Sequence, residues 1–264
     1  MNTIESIILG LVQGLTEFIP ISSSGHLVIG QTLLHGASNH LFLEWINLGT
    51  VLALIIFFRK RLLGLVCRVV VNHDYQLLRN IVIATIPAAL AGFLFAHIIE
   101  EAPLFSSAWT VVVTLILVGI VLIVLERLPK QHPVKSLEQL PWQRALTIGL
   151  AQMVALVPGT SRSGATIIAG RLSGLSRANA AEFSFLVSIP IMLGVLLKLV
   201  IDSESRDYFI VNAWPLLLAN LVAFVAGLLA VGFLMRFLEK RSLAVFGWYR
   251  VGLGLVVALV LLLQ

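Results

Sequence analysis

The sequence predicts an all-α polytopic membrane protein with six transmembrane helices plus two re-entrant helix hairpins, arranged as an inverted repeat. Three observations carry that prediction. First, the 264 residues are 59% hydrophobic and 12% charged, with a mean hydropathy of +1.01, far more apolar than a soluble domain. Second, apolar runs long enough to cross a bilayer recur along the chain, with no alternating pattern of barrel type. Third, two polar, helix-breaking clusters interrupt this background: Gln13-Gly-Leu-Thr-Glu-Phe-Ile-Pro-Ile-Ser-Ser-Ser-Gly-His26 and Pro158-Gly-Thr-Ser-Arg-Ser-Gly-Ala-Thr166. Broken helices and ionisable groups at bilayer depth are tolerated only where they are buried in protein or line a wet cavity.

Full spans are expected at about 43–58, 80–99, 108–126, 182–201, 214–236 and 244–263. The cluster-bearing segments, about 4–35 and 142–174, each hold one helix-length apolar run, a Pro/Gly/Ser break and a second run too short to cross. Reading both as hairpins that enter and leave on the same side places Arg59, Lys60, Arg61, Arg68, Arg79, Arg127, Lys130, Lys135, Arg144, Arg171, Arg177, Arg236, Lys240 and Arg241 on one side. By the positive-inside rule that side is the cytoplasm. Glu100, Glu101 and the acidic loop 202–207 fall opposite, and both termini lie outside. This topology accounts for the net charge of +5 and pI near 9.8, so no nucleic-acid partner is inferred. The N-terminus lacks the basic n-region and cleavage site of a removable signal. Cys67 is the single cysteine, which excludes internal disulfides.

The whole of 1–264 reads as one membrane domain with repeat halves of about 1–127 and 142–264. Gly10-Leu-Val-Gln13 resembles Gly149-Leu-Ala-Gln152, and each leads to a proline, a serine-rich break and Ser-Gly. Aligning the clusters needs a one-residue gap in places. One hairpin plus three spans per half inverts the second half relative to the first, which brings the broken helices together near the midplane.

In the second cluster, Gly159, Thr160, Ser161 and Ser163 offer small side chains, hydroxyls and N–H donors where a helix should begin, a setting that attracts phosphate. Arg162 is permanently charged and grips phosphate oxygens in bidentate fashion. The alternative for it is a buried ion pair with Glu17 or Glu182. In the first cluster, Gln13 and Glu17 share a helix face at i, i+4 and are candidate ligands of a hard divalent cation, Mg or Ca. Glu17 is alternatively a general base. Ser22, Ser23 and Ser24, followed by His26, supply a candidate nucleophile and a proton-transfer group. An arginine motif facing an acid, hydroxyls and a histidine suggests hydrolysis of a phosphorylated lipid.

These residues resemble the undecaprenyl-diphosphatase family, the bacitracin-resistance phosphatases. The likeness extends to Ile86-Pro-Ala-Ala89 and Glu182-Phe-Ser-Phe-Leu-Val-Ser-Ile-Pro190 and runs the length of the chain. The resemblance implies hydrolysis of undecaprenyl diphosphate to undecaprenyl phosphate and inorganic phosphate at the outer face of a bacterial plasma membrane. That reaction recycles the carrier lipid for peptidoglycan and other wall polymers and confers bacitracin resistance. Gln13 and Glu17 match the family's Glu/Gln-x-x-x-Glu pair, Ser23 its proposed nucleophile, His26 its essential histidine and Arg162 its phosphate-binding arginine. Ser22, Ser24, Ser161, Ser163 and Thr166 match supporting polar positions. Gln13 stands where many relatives carry Glu, and Asn47 where relatives usually carry Gln. A homodimer is a candidate assembly.

The rival class is a polyprenyl-phosphate transporter or flippase, since inverted repeats with broken helices are a transporter hallmark. His35, His40, His73, His97 and His132 are expected at span ends or loops. The five tryptophans are expected in an interfacial belt. Glu182 and Arg250 are expected to pair structurally.

Overall fold

The computed structural model describes residues 2–27, 40–95, 102, 107–128 and 134–263. Among them are twelve named α-helices: α1 Thr3–Thr16, α2 His40–Trp45, α3 Asn47–Phe57, α4 Arg59–Val70, α5 Gln76–Leu94, α6 Ala108–Leu125, α7 Trp142–Met153, α8 Arg162–Leu172, α9 Arg177–Ile201, α10 Ser203–Val211, α11 Ala213–Lys240 and α12 Ala244–Leu263. Residues 23–27 are also helical. Among the described residues, six helical stretches are long and apolar enough to cross a membrane: His40–Phe57 (α2 and α3), α5, α6, α9, α11 and α12. They coincide with the six expected spans to within a few residues. The expected second arm of the first hairpin beyond residue 27, the end of the expected 80–99 span, and Glu100, Glu101, Lys130, His35, His97 and His132 lie outside the described residues. Two helices were not expected. α4 and α10 are short and sit where hydropathy indicates only loops, because both are rich in charged residues: Arg59, Lys60, Arg61 and Arg68 in α4, and Glu204, Arg206 and Asp207 in α10.

The bundle turns its apolar side chains outward. Leu217, Leu221 and Leu229 on α11 and Leu255, Leu259 and Leu263 on α12 are exposed, as lipid-facing surfaces require. Helices meet through small residues instead. A methyl group on Gly10 would stand 2.3 Å from the Ala219 carbonyl oxygen, and one on Gly149 would stand 2.7 Å from that of Ala84. At the α6–α12 crossing, Gly119 and Gly247 press on each other's carbonyls in both directions. The pairings are reciprocal: α1 packs on α11, while α7 packs on α5. Polar side chains close the remaining gaps, with Asn220 Oδ1 accepting from the Gly49 N–H at 2.7 Å and Asn80 Nδ2 donating to the Leu140 carbonyl at 2.7 Å.

Ion pairs collect at the end of the bundle that holds the α3–α4 junction. Arg61 donates to Glu138 at 2.9 Å and to Glu182 at 2.7 Å, and Arg68 reaches Glu138 at 3.1 Å. Glu182 therefore pairs with Arg61 and not with Arg250, because the start of α9 lies beside α4. Four tryptophans, Trp109, Trp142, Trp214 and Trp248, are exposed near helix ends, but Trp45 is buried and donates to the Ser205 carbonyl at 3.1 Å. Just past α6, burial would raise the Glu126 carboxyl. Hydrogen bonds and charge from Arg177 override it and hold the group below its ordinary value. A carboxylate held low contributes stability that is complete above its ordinary value of 4.5 and is lost as pH falls through the lowered one. Glu126→Gln is expected to cost on the order of 2 kcal/mol at neutral pH and to flatten the acid arm of a melting-temperature profile in detergent. An unchanged acid arm would remove this pair from the account.

Candidate active site

The two polar clusters meet. Each forms a break in which the chain leaves one helix, turns, and restarts another. Ser22 (φ 75°) and Ser161 (φ 72°) occupy the left-handed region at the two restarts, a conformation that non-glycine residues hold only when their surroundings enforce it. In both breaks the serine hydroxyl caps the new helix: Ser22 Oγ accepts from the Gly25 N–H at 3.3 Å and Ser161 Oγ from the Gly164 N–H at 3.1 Å. The next serine but one then pairs with it, Ser24 with Ser22 at 3.2 Å and Ser163 with Ser161 at 3.1 Å. These equivalences, together with Gly10/Gly149 and Gln13/Gln152, hold at a constant offset of 139 residues. The one-residue gap expected from the sequence came from matching Pro20 to Pro158, whereas the backbone matches Pro20 to Gly159. Ser23 and Arg162 thus occupy the same first position of their restarted helices.

Glu17 stands at the centre. Its Oε1 accepts from Arg162 Nη2 at 2.6 Å, and its Oε2 accepts from Ser23 Oγ at 2.6 Å and from Gln13 Nε2 at 3.2 Å. Of the two ion-pair alternatives for Arg162, the pair with Glu17 is the one that forms. Ser163 Oγ lies 3.5 Å from the Glu17 and Ile19 carbonyls, which ties the second break to the first. Gly159 (φ 83°) is wedged against α6, and Thr114 on that helix donates to the Pro158 carbonyl at 2.8 Å. Thr160 is buried in the turn. Thr166 is turned away: its hydroxyl is engaged by the Arg162 carbonyl at 2.8 Å and by Ser184 Oγ at 2.6 Å, which seats α8 on α9.

His26 does not hydrogen-bond to Ser23. Its Nδ1 meets the Ser22 carbonyl at 2.7 Å and its Nε2 meets the Tyr249 hydroxyl at 2.8 Å. A carbonyl only accepts, so the neutral ring carries its proton on Nδ1 and takes the Tyr249 O–H at Nε2. The oxygen placed to take a proton from Ser23 belongs to Glu17.

Asn47, to which the sequence assigned no role, orients Gln13. Its Nδ2 donates to the Leu43 carbonyl at 3.0 Å and the Glu44 carbonyl at 3.2 Å, so its Oδ1 must be the atom that accepts from Gln13 Nε2 at 2.8 Å. Gln13 Oε1 is then buried without a partner. A buried lone acceptor next to a carboxylate suits a hard cation, so Gln13 and Glu17 fit that group. No cluster of three or more His, Cys, Asp or Glu ligands exists among the described residues. Tyr249, which holds His26, is the other contributor the sequence did not reveal. The only signal was a Tyr-Arg pair inside a hydrophobic run.

A family model described as "Bacitracin resistance protein BacA" matches residues 6–256. Among curated relatives, "Undecaprenyl-diphosphatase 2" of Shewanella oneidensis is 38% identical, over 96% of this chain and 96% of its own length. "Undecaprenyl-diphosphatase" of a Sulfurihydrogenibium species is also 38% identical, over 97% of this chain and 98% of the relative. The protein of the same name from Nitrosospira multiformis is 39% identical over 96% and 93%.

Proposed function

Since this multi-pass membrane chain belongs to the bacitracin resistance (BacA) family, we propose that it is a phosphatase of undecaprenyl diphosphate, releasing inorganic phosphate and the monophosphate carrier lipid. The observation that carries the reading is Glu17, which holds a serine hydroxyl on one oxygen and the Arg162 guanidinium on the other. A nucleophile, its base and an anion-binding cation are thereby joined through one carboxylate.

The terminal phosphate seats on Arg162 and on the N–H groups at the starts of the two restarted helices, where partial positive charge is concentrated. Ser161, Ser163, Ser22 and Ser24 surround that seat with hydroxyls. Arg162 exchanges part of its bond to Glu17 for phosphate oxygens, which leaves Glu17 a stronger base. Ser23 Oγ then forms a bond to the terminal phosphorus as its proton passes to Glu17. The bond from phosphorus to the bridging oxygen breaks, and the lipid monophosphate leaves. Water then bonds to the phosphorus as the bond from phosphorus to Ser23 Oγ breaks; Glu17 returns its proton to Ser23, and the water's oxygen and protons leave with the inorganic phosphate. His26, bonded to the Ser22 carbonyl, holds the first break in shape. A divalent cation held by Gln13 Oε1 and Glu17 would supply charge neutralisation on the diphosphate.

The reciprocal helix pairings and the constant offset support two inverted halves with two re-entrant hairpins, since helices the length of α7 and α8 are too short to cross. With the basic ends inside, the site opens outward. Carrier-lipid recycling for peptidoglycan and bacitracin resistance follow from that side and that product. Purified protein in detergent is expected to release phosphate from undecaprenyl diphosphate, and Ser23→Ala to lower the rate at least about a hundred-fold. Full activity in Ser23→Ala would transfer the attack to water. Wild-type protein that releases no phosphate across a range of divalent ions, yet moves lipid between leaflets, would favour the transporter reading.

A further inference from the structure

We propose that Arg250 is the clasp that sets the two breaks in register, and hence a positioning residue for the reaction; the inference rests on the phosphatase reading above. Arg250 is the largest fully buried side chain among the described residues. Its four described hydrogen bonds all go to backbone carbonyls. Two lie on α6: Nε donates to Leu115 at 3.4 Å and Nη2 to Thr114 at 3.2 Å. The other two lie one in each break, Nη1 to Pro20 at 3.3 Å and Nη2 to Gly159 at 2.7 Å. Pro20 and Gly159 are the equivalent residues of the two halves, each two positions before the serine with positive φ. One planar guanidinium therefore binds the same carbonyl of both repeats.

A buried cation satisfied only by carbonyls is a poor source of stability, because packed apolar residues commonly do as well. Its geometry is informative instead. The fork is rigid and its two ends are separated by a fixed distance, so the distance between the two breaks is fixed with it. On one side of that gap stand Ser23 and Glu17, and on the other Arg162. Their alignment relative to the bound phosphorus is what the clasp holds. Arg250 touches neither Glu17 nor Ser23 in its described bonds, so its influence passes through the backbone.

The expected signature is a loss in kcat with KM nearly preserved, because Arg162 and the second break still bind phosphate when the register slips. Arg250→Lys carries its three N–H donors on a single nitrogen, so it cannot hold the two carbonyls at the separation that the two guanidinium nitrogens Nη1 and Nη2 set. Its kcat, measured per correctly folded molecule on undecaprenyl diphosphate, is expected to fall about a hundred-fold, the usual result of a displacement near 1 Å, with KM changed less than about threefold. Arg250→Ala is expected to lose at least as much, and millimolar guanidinium is expected to restore part of its kcat without altering the wild type. Folded Arg250→Lys and Arg250→Ala proteins with wild-type kcat would overturn the proposal. So would a KM rise that accounts for the whole loss, or variants none of which fold, since Arg250 would then serve binding or folding. Wild-type protein in the same assay separates this outcome from failure of the phosphatase reading, which would leave the wild type itself inactive.

Discussion

Arg162→Ala is expected to reduce phosphate release by about a thousand-fold or more, the scale of removing an arginine that neutralises a transferring phosphoryl group. Arg162 is mostly buried, and its described partners are the Glu17 carboxylate and, at 3.4 Å, the Met192 sulfur. Among the described residues no other lysine or arginine side chain touches Glu17 or Ser23, so none of them can replace it. The variant also leaves Glu17 with its base oxygen on Ser23 but without its counter-charge. Lysine is not expected to rescue, because a single ammonium cannot hold Glu17 and a phosphate oxygen in the planar arrangement that a guanidinium allows. The discriminating measurement is phosphate release by Arg162→Ala and Arg162→Lys beside Glu17→Gln. If Arg162 and Glu17 act as one unit, the double variant Arg162→Ala/Glu17→Gln loses little more than either single one. Activity within tenfold of wild type in Arg162→Ala would refute the assignment.

Gly159→Ala is expected to abolish activity and to lower the melting temperature by several degrees. The position has φ 83°, where an alanine is strained by about 1–2 kcal/mol. The added methyl would also stand 2.1 Å from Thr114 Oγ1, 2.9 Å from Val111 Cα and 3.0 Å from the Val111 carbonyl oxygen. The first contact is a side chain and can be removed; the others are the backbone of α6 and cannot. Thr114→Ala added to Gly159→Ala should therefore restore part of the stability and little of the activity. A fully active Gly159→Ala would mean that the second break is free to move off α6.

The spans, both breaks and most of the residues around Glu17 were legible because their signals are local. A run of apolar residues, a Ser-Gly after a proline and an arginine in an apolar field can each be read within ten residues. The partners of Arg250, the Tyr249 bond to His26 and the Asn47 bond to Gln13 were not legible, since each joins residues far apart in the chain. Glu182 shows the same limit from the other direction. It was assigned to Arg250 by depth, but the bundle places it beside Arg61. The match of Pro20 with Gly159 was hidden by residue identity, because a carbonyl is common to every residue and leaves no mark in a sequence.

The reciprocal packing of the halves also sets a timetable. α1 is made early, yet the ridge its glycines need, at Ala219 and Ala223, is translated some two hundred residues later. Arg250 follows later still. A nascent chain that has emerged through α8 already contains Glu17, Ser23, His26 and Arg162, and the Arg162 and Ser163 contacts to the first break, but it lacks the guanidinium that binds Pro20 and Gly159 together. On the proposed role of Arg250, the enzyme is born silent and α12 turns it on.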